Sequence, residues 1–149
     1  MSEYSHEIRV LNGLIETTID SVDGYKKAAE DAKNPNIAQL FRRWSNDRAQ
    51  VVSALREVVR HDGGQPEDDG TVLASAHRMF TGLRASMSKD DKAVIEEVER
   101  SEDHIKDKYE TAIKDDKLSV EAREVIQRCY TSVRAGHDQM SAIKHSLTH

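Results

Sequence analysis

Apolar residues recur every three to four positions through most of this chain, the spacing by which one face of an α-helix is buried. Between residues 4 and 33, Tyr4, Ile8, Leu11, Ile15, Thr18, Val22, Tyr25, Ala29 and Ala32 alternate four and three apart and predict a first long helix. Asn34 and Pro35 then supply a capping side chain and a proline at the first helical position, where the missing N–H costs nothing. The second helix runs on Ile37, Phe41, Trp44, Arg48, Val51, Leu55 and Val58. It stops at Gly63-Gly64, because glycine accepts the left-handed conformation that ends a helix. After a polar loop, Leu73, Ala76, Phe80, Leu83 and Met87 predict a shorter amphipathic helix within residues 71–88. A third long helix, from about Asp90 to Asp115, carries Ile95, Val98, Glu102, Ile105, Tyr109 and Ala112. The fourth follows a Ser119 cap with Ala122, Ile126, Cys129, Val133, Gly136, Met140, Ile143 and Leu147.

The turns inside the first and the second pair of long helices are short, so each pair predicts an antiparallel hairpin. A helix of about 26 residues is about 39 Å tall at 1.5 Å per residue, and only a long link such as residues 63–89 can return to the starting end. The pattern therefore predicts an all-α four-helix bundle, two antiparallel hairpins joined by a long crossover that contains a short helix. The second and third helices then run parallel, the connectivity of ferritin-like folds. An up-down-up-down bundle with a decorated loop is the alternative. The 149 residues suit a single domain spanning 1–149, and two prolines and seven glycines leave room for uninterrupted helices.

A net charge of -5, with basic residues scattered among acidic ones, argues against a nucleic-acid partner, which needs a concentrated basic stripe. The start, Met1 to His6, lacks the apolar centre of a signal peptide, and no stretch approaches the roughly 20 apolar residues of a membrane span. The expectation is a cytoplasmic protein with no membrane partner. The single cysteine, Cys129, lies on an apolar stripe and reads as core packing. No Gly-rich phosphate loop, nucleophile elbow, paired-cysteine motif or serine-histidine-carboxylate constellation appears, so the reading leans away from an enzyme.

Arg48 and Glu102 change the picture, because both occupy core slots near mid-height of their helices. An unpaired buried ion costs several kcal/mol, so such residues are paired with each other or bound to a metal. One reading is a bidentate Arg48–Glu102 pair, with Glu16 or Asp20 sharing the donors and with Tyr25 and Tyr109 in the same polar core. No cofactor is needed in that case. The other reading is a single or altered iron or manganese site built from Glu16, Asp20, Glu102 and His137, with Glu99 as a further ligand. The usual dinuclear arrangement wants a Glu-x-x-His from each of two helices. Asp47-Arg48-Ala49-Gln50 and Arg134-Ala135-Gly136-His137 do not supply it, and a guanidinium cannot ligate a cation. Glu96, Glu97 and Glu99 read as a solvated acidic face. The Phe80, Leu83 and Met87 stripe suits covering the bundle or forming a homo-oligomer, most simply a dimer.

Several blocks go beyond what packing requires. Leu11-Asn12-Gly13-Leu14-Ile15-Glu16, Asp23-Gly24-Tyr25-Lys26-Lys27-Ala28-Ala29-Glu30-Asp31 and Leu40-Phe41-Arg42-Arg43 resemble the ferritin-like family catalogued as domain of unknown function 2383. Gly63-Gly64-Gln65-Pro66-Glu67-Asp68, Ala76-His77-Arg78, Glu96-Glu97-Val98-Glu99-Arg100-Ser101-Glu102-Asp103 and Val133-Arg134-Ala135-Gly136-His137-Asp138 resemble it too, with Ser101 standing where glycine is expected. The resemblance implies a bacterial ferritin-like bundle of no established biochemical role, with stress response and iron handling suggested by superfamily analogy.

Overall fold

The computed structural model describes residues 4–67 and 91–147, and they form four long helices: α1 (Ser5–Asp31), α2 (Pro35–His61), α3 (Asp91–Ile113) and α4 (Val120–Leu147). The short helix expected within residues 71–88 lies outside the described residues.

Local chemistry sets the ends of these helices. The Asn34 side chain accepts from the Asn36 and Ile37 amides at 2.8 and 3.4 Å, with Pro35 entering the first turn of α2. After α2, Gly63 takes a φ of 85°, the left-handed conformation that glycine adopts without a Cβ clash. Ser119 caps α4 by accepting from the Ala122 amide at 3.2 Å.

Two sets of contacts fix the connectivity. The Asp91 carboxylate accepts from the Lys33 and Asn34 amides at 2.7 and 2.8 Å, which puts the start of α3 beside the α1–α2 turn. At the opposite end, His6 Nε2 lies 2.6 Å from Asp115 Oδ2 and the Ser119 amide donates to Glu7 Oε1 at 2.7 Å. The α3–α4 turn is therefore beside the start of α1. Each hairpin is antiparallel and α2 and α3 run parallel, so α2 ends and α3 begins at opposite ends of the bundle.

The core is divided. One apolar cluster gathers Leu11, Ile15, Leu55, Val59, Ile105, Tyr109, Ile126 and Val133 toward the α3–α4 turn. A second gathers Tyr25, Ala28, Phe41, Ile95, Val98 and Met140 toward the α1–α2 turn. Fully burying a side chain such as Phe41, Leu55 or Ile126 contributes about 1.5–3 kcal/mol, so the clusters supply most of the drive for assembly.

The buried stripe of α2 differs from the strict heptad in the sequence. Ser45, Val52 and Val59 are buried beside Phe41, Arg48 and Leu55, whereas Trp44 and Val58 are half-buried. A straight helix of 3.6 residues per turn drifts about 20° per heptad, which brings the following residue into the core. Glu97 is a second difference. It is buried rather than part of a solvated face, with Arg100 Nη1 2.7 Å from its carboxylate.

Candidate functional site

Between the two apolar clusters lies a charged layer. Arg48, from mid-α2, and Glu102, from mid-α3, are 0% and 1% exposed, so a cation and an anion are buried at the centre of the bundle. They meet as two planar forks: Arg48 Nη1 donates to Glu102 Oε1 at 2.7 Å and Nη2 donates to Oε2 at 2.5 Å. Nη1 also donates to Ser21 Oγ of α1 at 2.7 Å, and Nη2 makes a long 3.5 Å contact with the Val133 carbonyl of α4. All four helices thus contribute to the guanidinium's surroundings. Its Nε is buried without a hydrogen-bond partner among the described residues.

Aromatic rings complete the cage. The guanidinium carbon lies 5.5 Å from the Tyr25 ring centre and 5.7 Å from that of Trp44, within cation–π range. The Trp44 indole is held by donation to Gln139 Oε1 at 2.7 Å. On the fourth side, Gly136 admits the pair by having no side chain. A Cβ there would stand 2.5 Å from Arg48 Nη2 and 2.7 Å from Glu102 Oε2, closer than packed atoms approach.

The electrostatics follow from this geometry. Burial alone would drive the guanidinium toward neutrality, but the hydrogen bonds and charge of Glu102 outweigh it and hold the Arg48 pKa above its ordinary value. Burial and the neighbouring Glu102 charge push the Tyr25 hydroxyl well above the usual tyrosine range. Tyr109 is also raised by burial, and its hydroxyl lies 2.8 Å from Thr18 Oγ1. Because Thr18 donates to the Leu14 carbonyl at 2.6 Å, its oxygen accepts from Tyr109. The layer therefore favours a fixed ion pair flanked by neutral tyrosines. Cys129 is buried, and desolvation raises its thiol to about 11, far from a nucleophile's range.

The sequence-predicted ligands are dispersed. Glu102 is engaged by Arg48. Glu99 pairs with Lys144 Nζ at 3.0 Å, and His137 Nε2 pairs with Asp103 Oδ1 at 2.6 Å. Glu16 is half-buried beside Asp20 and Glu67, where burial and those two charges raise its pKa. The hydrogen bond that Arg48 makes to α1 goes to Ser21, in the place expected for Glu16 or Asp20. Among the described residues, no group of three or more histidine, cysteine or acidic side chains is arranged to hold a metal. The donor set does not fit a dinuclear centre, because a guanidinium occupies the middle of the bundle and repels a cation there. The sequence pattern places Trp44 and Gly136 on their apolar stripes but shows neither their part in the Arg48 cage nor the contribution of Ser21.

Residues 6–115, covering nearly all of α1 and the whole of α2 and α3, match the model of a family described as a domain of unknown function (DUF2383). The chain belongs to this family. The DUF2383 match ends at the α3–α4 turn, so the block at residues 133–138 that resembles the family pattern lies beyond it. It includes Arg48 and Glu102, while Val133 and Gly136 on the far wall of the layer come from outside the matched segment. No curated protein matches the chain. None of the described helices is long and apolar enough to cross a membrane.

Proposed function

We propose that this DUF2383 protein is a non-enzymatic, ferritin-like bundle of the bacterial cytoplasm. In this reading it acts through its surfaces, binding a protein partner or a second copy of itself in a structural or stress-related role. The observation that carries the reading is the bidentate Arg48–Glu102 pair, whose charges satisfy each other where a bundle of this connectivity would place a metal centre. A carboxylate with a guanidinium on both oxygens has its charge balanced, and that positive group repels a cation approaching it. The layer instead gives the two hairpins one register, since sliding either by a turn would separate two buried charges.

Elemental analysis tests this. Untagged protein, purified without chelator and then incubated anaerobically with Fe(II) or Mn(II) and desalted, is expected to hold less than stoichiometric metal. Sedimentation of the same sample is expected to show a homo-oligomer or, with a captured partner, a defined complex. Stoichiometric metal that disappears in Glu102→Ala would overturn the reading in favour of a single-ion, iron-handling site.

A further inference from the structure

At the end of the bundle where α1 begins and α2 stops, two acids, Glu7 and Asp62, are hydrogen-bond neighbours. Glu7 lies in the first turn of α1 and Asp62 directly follows α2, and they are only 3% and 8% exposed. Glu7 Oε1 is satisfied by the Ser119 amide at 2.7 Å. Glu7 Oε2 and Asp62 Oδ2 are buried and have no donor among the described residues. Two buried carboxylates side by side disfavour a full charge on both, because burial penalises each ion and the like charges repel.

The surrounding groups do not remove the difficulty. His61 Nδ1 stands 3.8 Å from Asp62 Oδ1, beyond hydrogen-bond distance, on a largely solvent-exposed side chain. On α1, His6 is committed to Asp115 at 2.6 Å. From the start of α4, Arg123 Nη2 donates to the Asp115 carbonyl at 2.8 Å.

We propose that Glu7 and Asp62 share one proton, forming an acid–carboxylate clasp that ties the start of α1, the end of α2 and the α3–α4 turn together and loosens above neutral pH. The shared proton turns the two orphaned oxygens into one donor and one acceptor. Loss of that proton leaves two like charges in a buried joint between the first turn of α1 and the end of α2.

The titration directions agree with this. Burial and the hydrogen bond to Glu7 raise Asp62 to about 7, with His61 opposing weakly. Burial also acts to raise Glu7, but the hydrogen bonds from Asp62 and Ser119 outweigh it and leave that acid below its ordinary value. For Asp62 the folded pKa lies above the unfolded one, so its contribution is complete below the ordinary carboxylate range and is lost as pH rises through about 7. For Glu7 the sign reverses, and its contribution is lost as pH falls below that range. Between these limits the folded clasp holds one proton that the unfolded chain has released. The folded-to-unfolded ratio should then fall about tenfold per pH unit.

The test is denaturant unfolding of the full chain from pH 5 to pH 8, wild type against Asp62→Asn and Glu7→Gln. Residue-specific carboxyl carbon NMR of the folded wild type accompanies it. An amide at either position supplies the shared hydrogen permanently, so the wild type should lose stability relative to each variant as pH rises from 5 to 7. One carboxyl resonance should titrate near neutrality. Native carboxyl groups that all titrate in the ordinary range, or variants whose pH dependence parallels the wild type, would overturn the clasp. So would a saturable rise in melting temperature with magnesium chloride at pH 8 that Asp62→Asn abolishes, since a cation would then hold the two oxygens.

Discussion

The middle of this bundle and the end beside the α3–α4 turn bury acidic groups in opposite ways. At mid-height Glu102 faces a guanidinium that takes both of its oxygens, and four helices and two aromatic rings surround the pair. Where α1 begins and α2 stops, Glu7 faces Asp62, another acid, and the proposed donor between them is a shared proton. The first arrangement is insensitive to pH across the range where proteins work, because a guanidinium paired with a carboxylate does not lose its proton there. The second is sensitive by construction. Burial alone therefore does not predict how a charged group behaves; the nature of the facing group decides.

The largest expected effect comes from breaking the central pair on one side. Arg48→Met leaves Glu102 as an uncompensated buried charge and should cost about 3–5 kcal/mol in a denaturant melt. Adding Glu102→Leu should recover most of that loss, because two apolar groups of similar size replace a pair whose desolvation nearly cancelled its attraction. A neutral Arg48→Met would show the layer to be wet and the comparison mistaken. Next is Gly136→Ala, whose new methyl would overlap both Arg48 and Glu102. A loss of about 1–3 kcal/mol is expected, the usual cost of overpacking a close contact. The loss should shrink sharply when Glu102 and Arg48 are already replaced, which a double-mutant cycle would read directly. The smallest effect should come from Thr18→Val. It removes the acceptor for the buried Tyr109 hydroxyl and should cost about 1 kcal/mol, the net worth of one hydrogen bond.

Part of this was legible in the sequence. Arg48 and Glu102 stand out because a charged residue in a heptad core slot breaks an otherwise apolar pattern, and Tyr25 and Tyr109 follow from the same register. The short turns at Asn34-Pro35 and before Ser119, set against the long stretch after Gly63, give the parallel arrangement of α2 and α3. Other features left no such mark. Glu7 occurs one residue before the seam position Ile8, in the first turn of a helix, where an acid ordinarily complements the helix dipole and stays in water. Only the approach of Asp62 and Ser119, 55 and 112 residues away, makes it a buried group. Ser21 reads as a surface serine until Arg48 reaches across from α2. His137 lies near the charged layer in sequence register, yet it faces Asp103 at the rim.

The central ion pair also bears on how the protein comes together. Contacts within each hairpin join residues close along the chain and can form early. Arg48 and Glu102 belong to different hairpins, 54 residues apart, so their union requires the two halves to be docked already. A bond made that late stabilises the finished molecule without hastening its formation. Weakening it should leave the folding rate nearly unchanged and appear as faster unfolding. The centre of the bundle would then govern how long the folded protein lasts, while the hairpins govern how quickly it is made.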